Sequence, residues 1–199
     1  YDNASTDNTS EVAKKAGAKV YQEDGRGKGN VIRRMFSDVE ADIYIMVDGD
    51  DTYEAHKCTE MVDQLIRKNL DMVVGVRKTS NLNGEYRRGH AFGNWMLTSS
   101  VSLIFGGEFS DMLSGYRVMS RRFVKSFPVM SKGFEIETEM TVHALQVGAS
   151  YAEIETVYNH RTEGSESKLN TIKDGIRILR MILLLFKEGR PFYFFSILY

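Results

Sequence analysis

The chain has 199 residues, 42% of them hydrophobic and 27% charged, which is enough to bury one sizeable core. A net charge of -1 excludes a generic nucleic-acid binder, and a single cysteine, Cys58, excludes an internal disulfide framework. Disulfide-free chemistry fits the cytosol or the cytosolic face of a membrane.

Residues 1–3 read as the end of a strand. Residues 3–9, NASTDNT, form a polar turn, and Asn8 with Glu11 predicts a short capped helix ending near Gly17. Residues 18–22 read as a strand. EDGRGKG at 23–29 is a glycine-rich basic loop leading into a helix over 30–40. It lacks the spacing and the Ser or Thr of a Walker loop, but a helix start carrying Arg26 and Lys28 suits an anion. Residues 43–47, IYIMV, read as a buried strand running into Asp48, Gly49, Asp50 and Asp51. In an open α/β sheet ligands gather at the carboxyl ends of strands, and Asp-x-Asp places two hard oxygen ligands where a divalent cation would bridge phosphates. Capping of a helix over 54–68 by Asp51 or Thr52 is the competing account. DMVVGV at 71–76 is a further buried strand. Strands alternating with helices, without a hairpin signal, predict a mostly parallel, doubly wound sheet.

Residues 77–90 form a long polar loop carrying Arg77, Lys78, Arg87 and Arg88, either functional or a solvated charged surface. A helix over 92–105 carries Trp95 and offers Leu97, Val101 and Ile104 to the core. SDMLSGYRVMS at 110–120 packs a carboxylate, a tight Ser-Gly step and an arginine together. Glu135 and Glu137 open another helix, where capping competes with a functional role. Residues 150–158 alternate as a half-exposed strand and lead into a polar loop with His160, Arg161 and Lys168. Over 171–188, Lys173, Arg177, Arg180 and Lys187 share one helical face beside a broad apolar one. That pattern suits an anionic membrane surface or ordinary packing on the domain, and the aromatic cluster at 192–195 favours the headgroup layer. The chain thus divides into an α/β domain over 1–168, an amphipathic juxtamembrane helix over 169–190, and an apolar segment over 191–199 that reads as the start of a truncated transmembrane segment.

Six stretches in order, YDNASTDNT, GRGKGN, VDGDDTY, DMLSGYR, GFEIETE and RTEGSESKL, followed by the amphipathic helix, resemble the family 2 glycosyltransferases of the GT-A fold, in particular the polyprenyl-phosphate group. The resemblance covers nearly the whole chain, although the first strand of the family has no counterpart. It implies an inverting, metal-dependent transfer of a hexose from a UDP- or GDP-sugar to a polyprenyl phosphate at the cytosolic membrane face. Asp2, supported by Asp7, would meet the base of the donor, and Lys28 would lie beside the nucleotide. Asp48 and Asp50 would hold Mg2+ or Mn2+, and Asp111 would be the catalytic carboxylate. Arg117 would act in catalysis and, with Ser114, Arg87, Arg88, Arg161, Ser167 and Lys168, bind phosphate or acceptor. Membrane lipids are implied partners, nucleic acid is not, and a homo-oligomer is compatible with the group. A transferase acting on a glycan hydroxyl and a non-catalytic nucleotide-sugar-binding module are the alternatives.

Overall fold

The computed structural model describes residues 1–79, 88–159 and 170–198. In chain order these form α1 (Thr9–Lys15), α2 (Lys28–Asp38), β1 (Ile43–Met46), α3 (Lys57–Arg67), β2 (Met72–Thr79), α4 (Arg88–Phe105), β3 (Arg117–Ser120), α5 (Arg121–Ser126), α6 (Ile136–Gln146), β4 (Tyr151–Tyr158), α7 (Thr171–Gly189) and α8 (Pro191–Leu198). Among the described residues the sheet has the order β1-β3-β2-β4. β4 pairs parallel with β2, whereas β3 runs antiparallel to both β1 and β2. Three strands therefore share one direction, as an α/β reading requires, with the unpredicted β3 inserted between them. RVMS is too short to show a period, and its place is set by pairing on both sides.

The pleat of the sheet feeds two apolar layers. Met72 and Val74 of β2 face one side, with Tyr44 and Met46 of β1 and residues of α2 and α4–α7. Val73, Val118 and Ile154 face the other side, where Met61 and Leu65 of α3 cover them. Full burial of both faces explains why β2 reads as a continuous apolar run.

Two expected elements differ in form. The strand at 18–22 is reduced to a parallel bridge between Gln22 and Asp2, closed by Asp2 N donating to Tyr21 O and Glu23 N donating to Asp2 O. A ladder extends only as far as its partner, which here is Asp2. The helix at the carboxyl end is apolar on two faces. Ile178, Ile182 and Leu185 of α7 enter the core, whereas Ile172, Ile176, Leu179 and Leu183 form a separate exposed stripe. No described helix is long and apolar enough to cross a membrane.

The side chain of Arg117, which the resemblance assigns to catalysis and to acceptor or phosphate, has no exposed surface. Nη2 donates to Met112 O (2.5 Å), Glu137 O (3.2 Å) and Thr141 Oγ1 (3.0 Å), and Nε donates to Ser114 O (3.0 Å). Burial works against its charge, and the nearby carboxylates of Glu137 and Asp111 offset part of that effect. The guanidinium thus clamps β3, the loop before it and the first turns of α6. Ser114 is likewise enclosed, its hydroxyl donating to Gly75 O (2.5 Å).

A second polar lock lies at the opposite end of the strands. The Asp71 carboxylate accepts from Arg122 Nε and Nη2 (2.8 and 2.7 Å), from Ser150 N (3.0 Å) and from Ser120 Oγ (3.2 Å), tying the start of β2 to the end of β3 and the start of β4. Burial alone would raise its carboxyl, but Arg122 and Ser150 outweigh it and hold the group below the ordinary carboxylate range. A depressed folded-state value adds stability that is fully present above the unfolded value of about 3.9 and is lost as pH falls through the folded value. Asp71→Asn should therefore lower Tm at pH 7, and its difference from the wild type should shrink below about pH 4 in thermal scans. Arg117→Ala should cost about 3 kcal/mol or more, from the cavity and the stranded carbonyls, and lower the urea midpoint. An unchanged midpoint with lost turnover would return Arg117 to substrate contact.

Candidate active site

The acidic turn leaves β1 at its carboxyl end, beside the carboxyl ends of β2 and β4, the edge of an α/β sheet where ligands bind. Its far side is laced to β4: Asn159 N donates to Thr52 O (2.8 Å), and Tyr53 forms an isolated bridge with Tyr158. Asp50 Oδ1 accepts from Thr52 Oγ1 (2.6 Å), which turns the chain back toward α3. Asp51 holds a positive φ of 57°, so the additional acid sits at the strained corner of the turn.

Lys28, the first residue of α2, reaches this turn. Its Nζ lies 2.5 Å from Asp48 Oδ1 and also pairs with Glu137 Oε1. Burial opposes the charge, but Glu137 and then Asp48 carry the ammonium well above the ordinary lysine range. Close approach of backbones puts Lys28 there. A Cβ on Gly27 would meet Lys132 O at 2.1 Å and one on Gly29 would meet Ser131 O at 2.2 Å, so only glycine allows the 131–133 segment to pass. The amides of Gly27 and Gly29 are also engaged, donating to Asn3 Oδ1 (2.7 Å) and Lys132 O (3.1 Å). The glycine-rich loop therefore serves packing, not a backbone cradle for an anion, and its contribution to the site is the lysine.

A cleft of about 700 Å³ opens between the end of β2 and α4. Asp111 lies on its floor, gripped by Arg77 through Nε–Oδ2 (2.6 Å) and Nη2–Oδ1 (2.7 Å), with Asn94 Nδ2 donating to Oδ1 (3.1 Å). Burial pushes the Asp111 carboxyl up, but the Arg77 fork overrides it and holds the group below its usual range. Trp95, 64% exposed, and Leu103, 88% exposed, form the apolar rim together with Phe109.

Asp2 and Asp7 shape the amino-terminal turn. The Asp2 carboxylate accepts from Ser10 Oγ (2.5 Å), Ser5 N (3.1 Å) and Gln22 Nε2 (3.2 Å), with the hydroxyl of Ser10 the leading reason its carboxyl is held far below the ordinary range. Asp7 accepts from Thr9 N (3.0 Å) and Thr9 Oγ1 (2.5 Å), so it, rather than Asn8, caps α1.

The structure thus brings Lys28 onto the turn that carries Asp48 and Asp50, and places Asp111 in the cleft between β2 and α4. It withdraws Arg117 and Ser114 into the interior, where they hold the loop that faces this turn. Arg87, Arg161, Ser167, Lys168 and the side chain of Arg88 lie outside the described residues. Three residues absent from the expected set enter the site: Glu137 on Lys28, Arg77 on Asp111, and Tyr53, whose hydroxyl accepts from Gly115 N (3.1 Å). Burial raises the Tyr53 phenol to about 12, so it stays neutral. Glu137 carried one signal in the sequence, an acid at a helix start where a functional role competes with capping.

The donor set suits a divalent cation shared with a diphosphate. Asp48 and Asp50 supply hard oxygens, and the Lys28 ammonium already occupies a cation position on Asp48 Oδ1. No group of three or more His, Cys, Asp or Glu side chains converges among the described residues, so a bound ion would take the rest of its shell from substrate oxygens and water.

The fold and several stretches of sequence recur in known proteins. The chain is 36% identical over 196 residues to glycosyltransferase AglJ of Haloferax volcanii, covering 98% of this chain but 64% of that protein, less than two thirds of its length. It is 26% identical to a dolichyl-phosphate hexose transferase of the same organism, covering 94% of this chain and 79% of that protein. Its fold matches glucosyl-3-phosphoglycerate synthase from Mycobacterium tuberculosis, solved with Mn2+ and UDP-glucose, at a TM-score of 0.68 and 21% identity over 93% of this chain and 66% of that one. The family model for glycosyl transferase family 2 matches residues 1–127, more than half of the chain, and the chain belongs to that family.

Proposed function

We propose that this domain transfers a hexose, with inversion, from a nucleotide sugar to a polyprenyl phosphate at the cytosolic face of a membrane. The observation that carries this reading is the cleft between the end of β2 and α4, with an Arg77–Asp111 floor and an apolar rim of Trp95, Leu103 and Phe109. An acceptor with an anionic head and a hydrocarbon body matches both parts. The relative named as a dolichyl-phosphate hexose transferase supports the same acceptor class. The exposed stripe Ile172, Ile176, Leu179 and Leu183, next to Lys173, Arg177 and Arg180, supports a lipid surface against α7.

In the reaction the acceptor phosphate oxygen attacks the anomeric carbon and the bond to the nucleoside diphosphate breaks. A phosphate oxygen is already ionised at neutral pH, so the reaction needs no strong base. Asp111, held ionised below its usual range, is a weak base and fits a role in orienting Arg77 toward the acceptor. Lys28 offsets charge that develops on the departing diphosphate. Mg2+ or Mn2+, held by Asp48 and Asp50, would supply the remaining Lewis acidity on that leaving group. The cation assignment is supported by the donor set and by the Mn2+ in the structurally similar synthase.

The test uses the full-length protein in detergent with undecaprenyl or dolichyl phosphate, Mn2+ and radiolabelled nucleotide sugars. Label from one donor should enter the organic phase and be lost with EDTA. Metal-dependent nucleotide release without lipid label would move the acceptor to a glycan hydroxyl. Asp111→Asn should reduce turnover yet leave it measurable, whereas a loss on the order of 10⁴-fold would make Asp111 a true base. Asp50→Ala should abolish Mn2+-dependent donor binding in calorimetry while leaving the fold intact by circular dichroism, and normal metal-dependent affinity would remove Asp50 from the cation site.

A further inference from the structure

Lys28 stands between two carboxylates with different surroundings. The Asp48 side chain is 36% exposed, whereas that of Glu137, on the first turn of α6, is 4% exposed. Glu137 Oε1 has no hydrogen-bond partner among the described residues and relies on the ammonium of Lys28 as its ion pair. Gly115 leaves the space in which the ammonium sits: a Cβ there would lie 2.5 Å from Asp48 Oδ2 and 2.9 Å from Lys28 Nζ.

These contacts create a competition. A divalent cation on Asp48 and an ammonium 2.5 Å from the same carboxylate repel one another. Moving Lys28 out to solvent would strand Glu137 as a buried, unpaired charge, which is costly. A small rotation that leaves Lys28 on Glu137 alone avoids both penalties. We infer that Lys28 is an internal stand-in for the divalent cation and that Glu137 is the positioning residue that takes Lys28 off Asp48 when the cation enters. The inference rests on the assignment of Asp48 to the cation. It adds a coupling between a buried residue of α6 and metal affinity, and it keeps Lys28 beside the diphosphate once the cation is in place.

The test is a double-mutant cycle read by Mn2+ binding, followed by electron paramagnetic resonance without nucleotide, on full-length wild type, Lys28→Met, Glu137→Gln and the double variant. Glu137→Gln should weaken Mn2+ binding about three- to tenfold, because Lys28 then has only Asp48 as a partner, and Lys28→Met should tighten it by a similar factor. The effect of Glu137→Gln should vanish in the Lys28→Met background. The same weakening in both backgrounds would make Glu137 a through-space charge and overturn the inference. Unchanged Mn2+ affinity in Asp48→Asn would overturn the underlying cation assignment instead, a result independent of residue 137. A crystal structure with Mn2+ gives a second readout that does not depend on folding of the Lys28 variant. Lys28 Nζ should lie within hydrogen-bond distance of Glu137 and beyond about 4 Å from Asp48. Lys28 still bridging both carboxylates with Mn2+ bound would overturn the proposal.

Discussion

A guanidinium with no exposed surface, that of Arg117, ends on the carbonyls of Met112, Ser114 and Glu137. A buried charge tolerates little displacement, because each lost acceptor leaves it less compensated in a medium that solvates it poorly. The loop at 111–116, β3 and the first turn of α6 therefore hold one relative position. That position places Gly115 against Asp48 and Lys28, and directs the Glu137 carboxylate toward the same lysine whose partner carboxylate belongs to the acidic turn.

The site is consequently built from the inside outward. Arg117 fixes backbone, the backbone places Gly115 and Glu137, and these place Lys28. Tyr53 adds a neutral contact, its hydroxyl accepting from Gly115 N, while its ring packs edge-on against Tyr116 and Tyr158. None of these side chains needs to touch a substrate to matter. Each removes a degree of freedom from the carboxylates and the ammonium at the acidic turn, and such preorganisation is how fixed charges become effective in stabilising developing charge.

The cleft and the acidic turn have contrasting electrostatics. At the turn, carboxylates and an ammonium are arranged around a space that suits a cation. In the cleft Arg77 and Asp111 form a bidentate, net-neutral ion pair beneath exposed Trp95 and Leu103. The exposed stripe on α7 lies on a helix that is also anchored to the core through Ile178, Ile182 and Leu185, and α8, which buries no residue, adds further exposed apolar surface. A helix apolar on two sides meets the domain with one face and needs a different apolar environment for the other.

Much of this was legible in the chain by itself. The runs IYIM and MVVGV, each followed by polar turns, and the helical spacing of Leu97 and Val101 identified an α/β core, because burial imposes periodicity. The carboxylates at 48 and 50 and the lysine at 28 were identifiable as residue types suited to a diphosphate and a cation. Tertiary structure alone decided the rest. β3 has only four residues and is recognised by its two neighbours, not by any pattern of its own. Arg117 reads from sequence like a substrate-binding arginine, since nothing local records that its acceptors come from residues 112, 114 and 137. Between a capping and a functional role for Glu137 the sequence leaves the choice open until α2 and α6 are brought together by Gly27 and Gly29, whose missing side chains let the backbone of residues 131–132 pass at contact distance. Periodicity and residue chemistry are local properties of a chain, whereas the partner of a buried charge is chosen by which distant segment the packing brings against it.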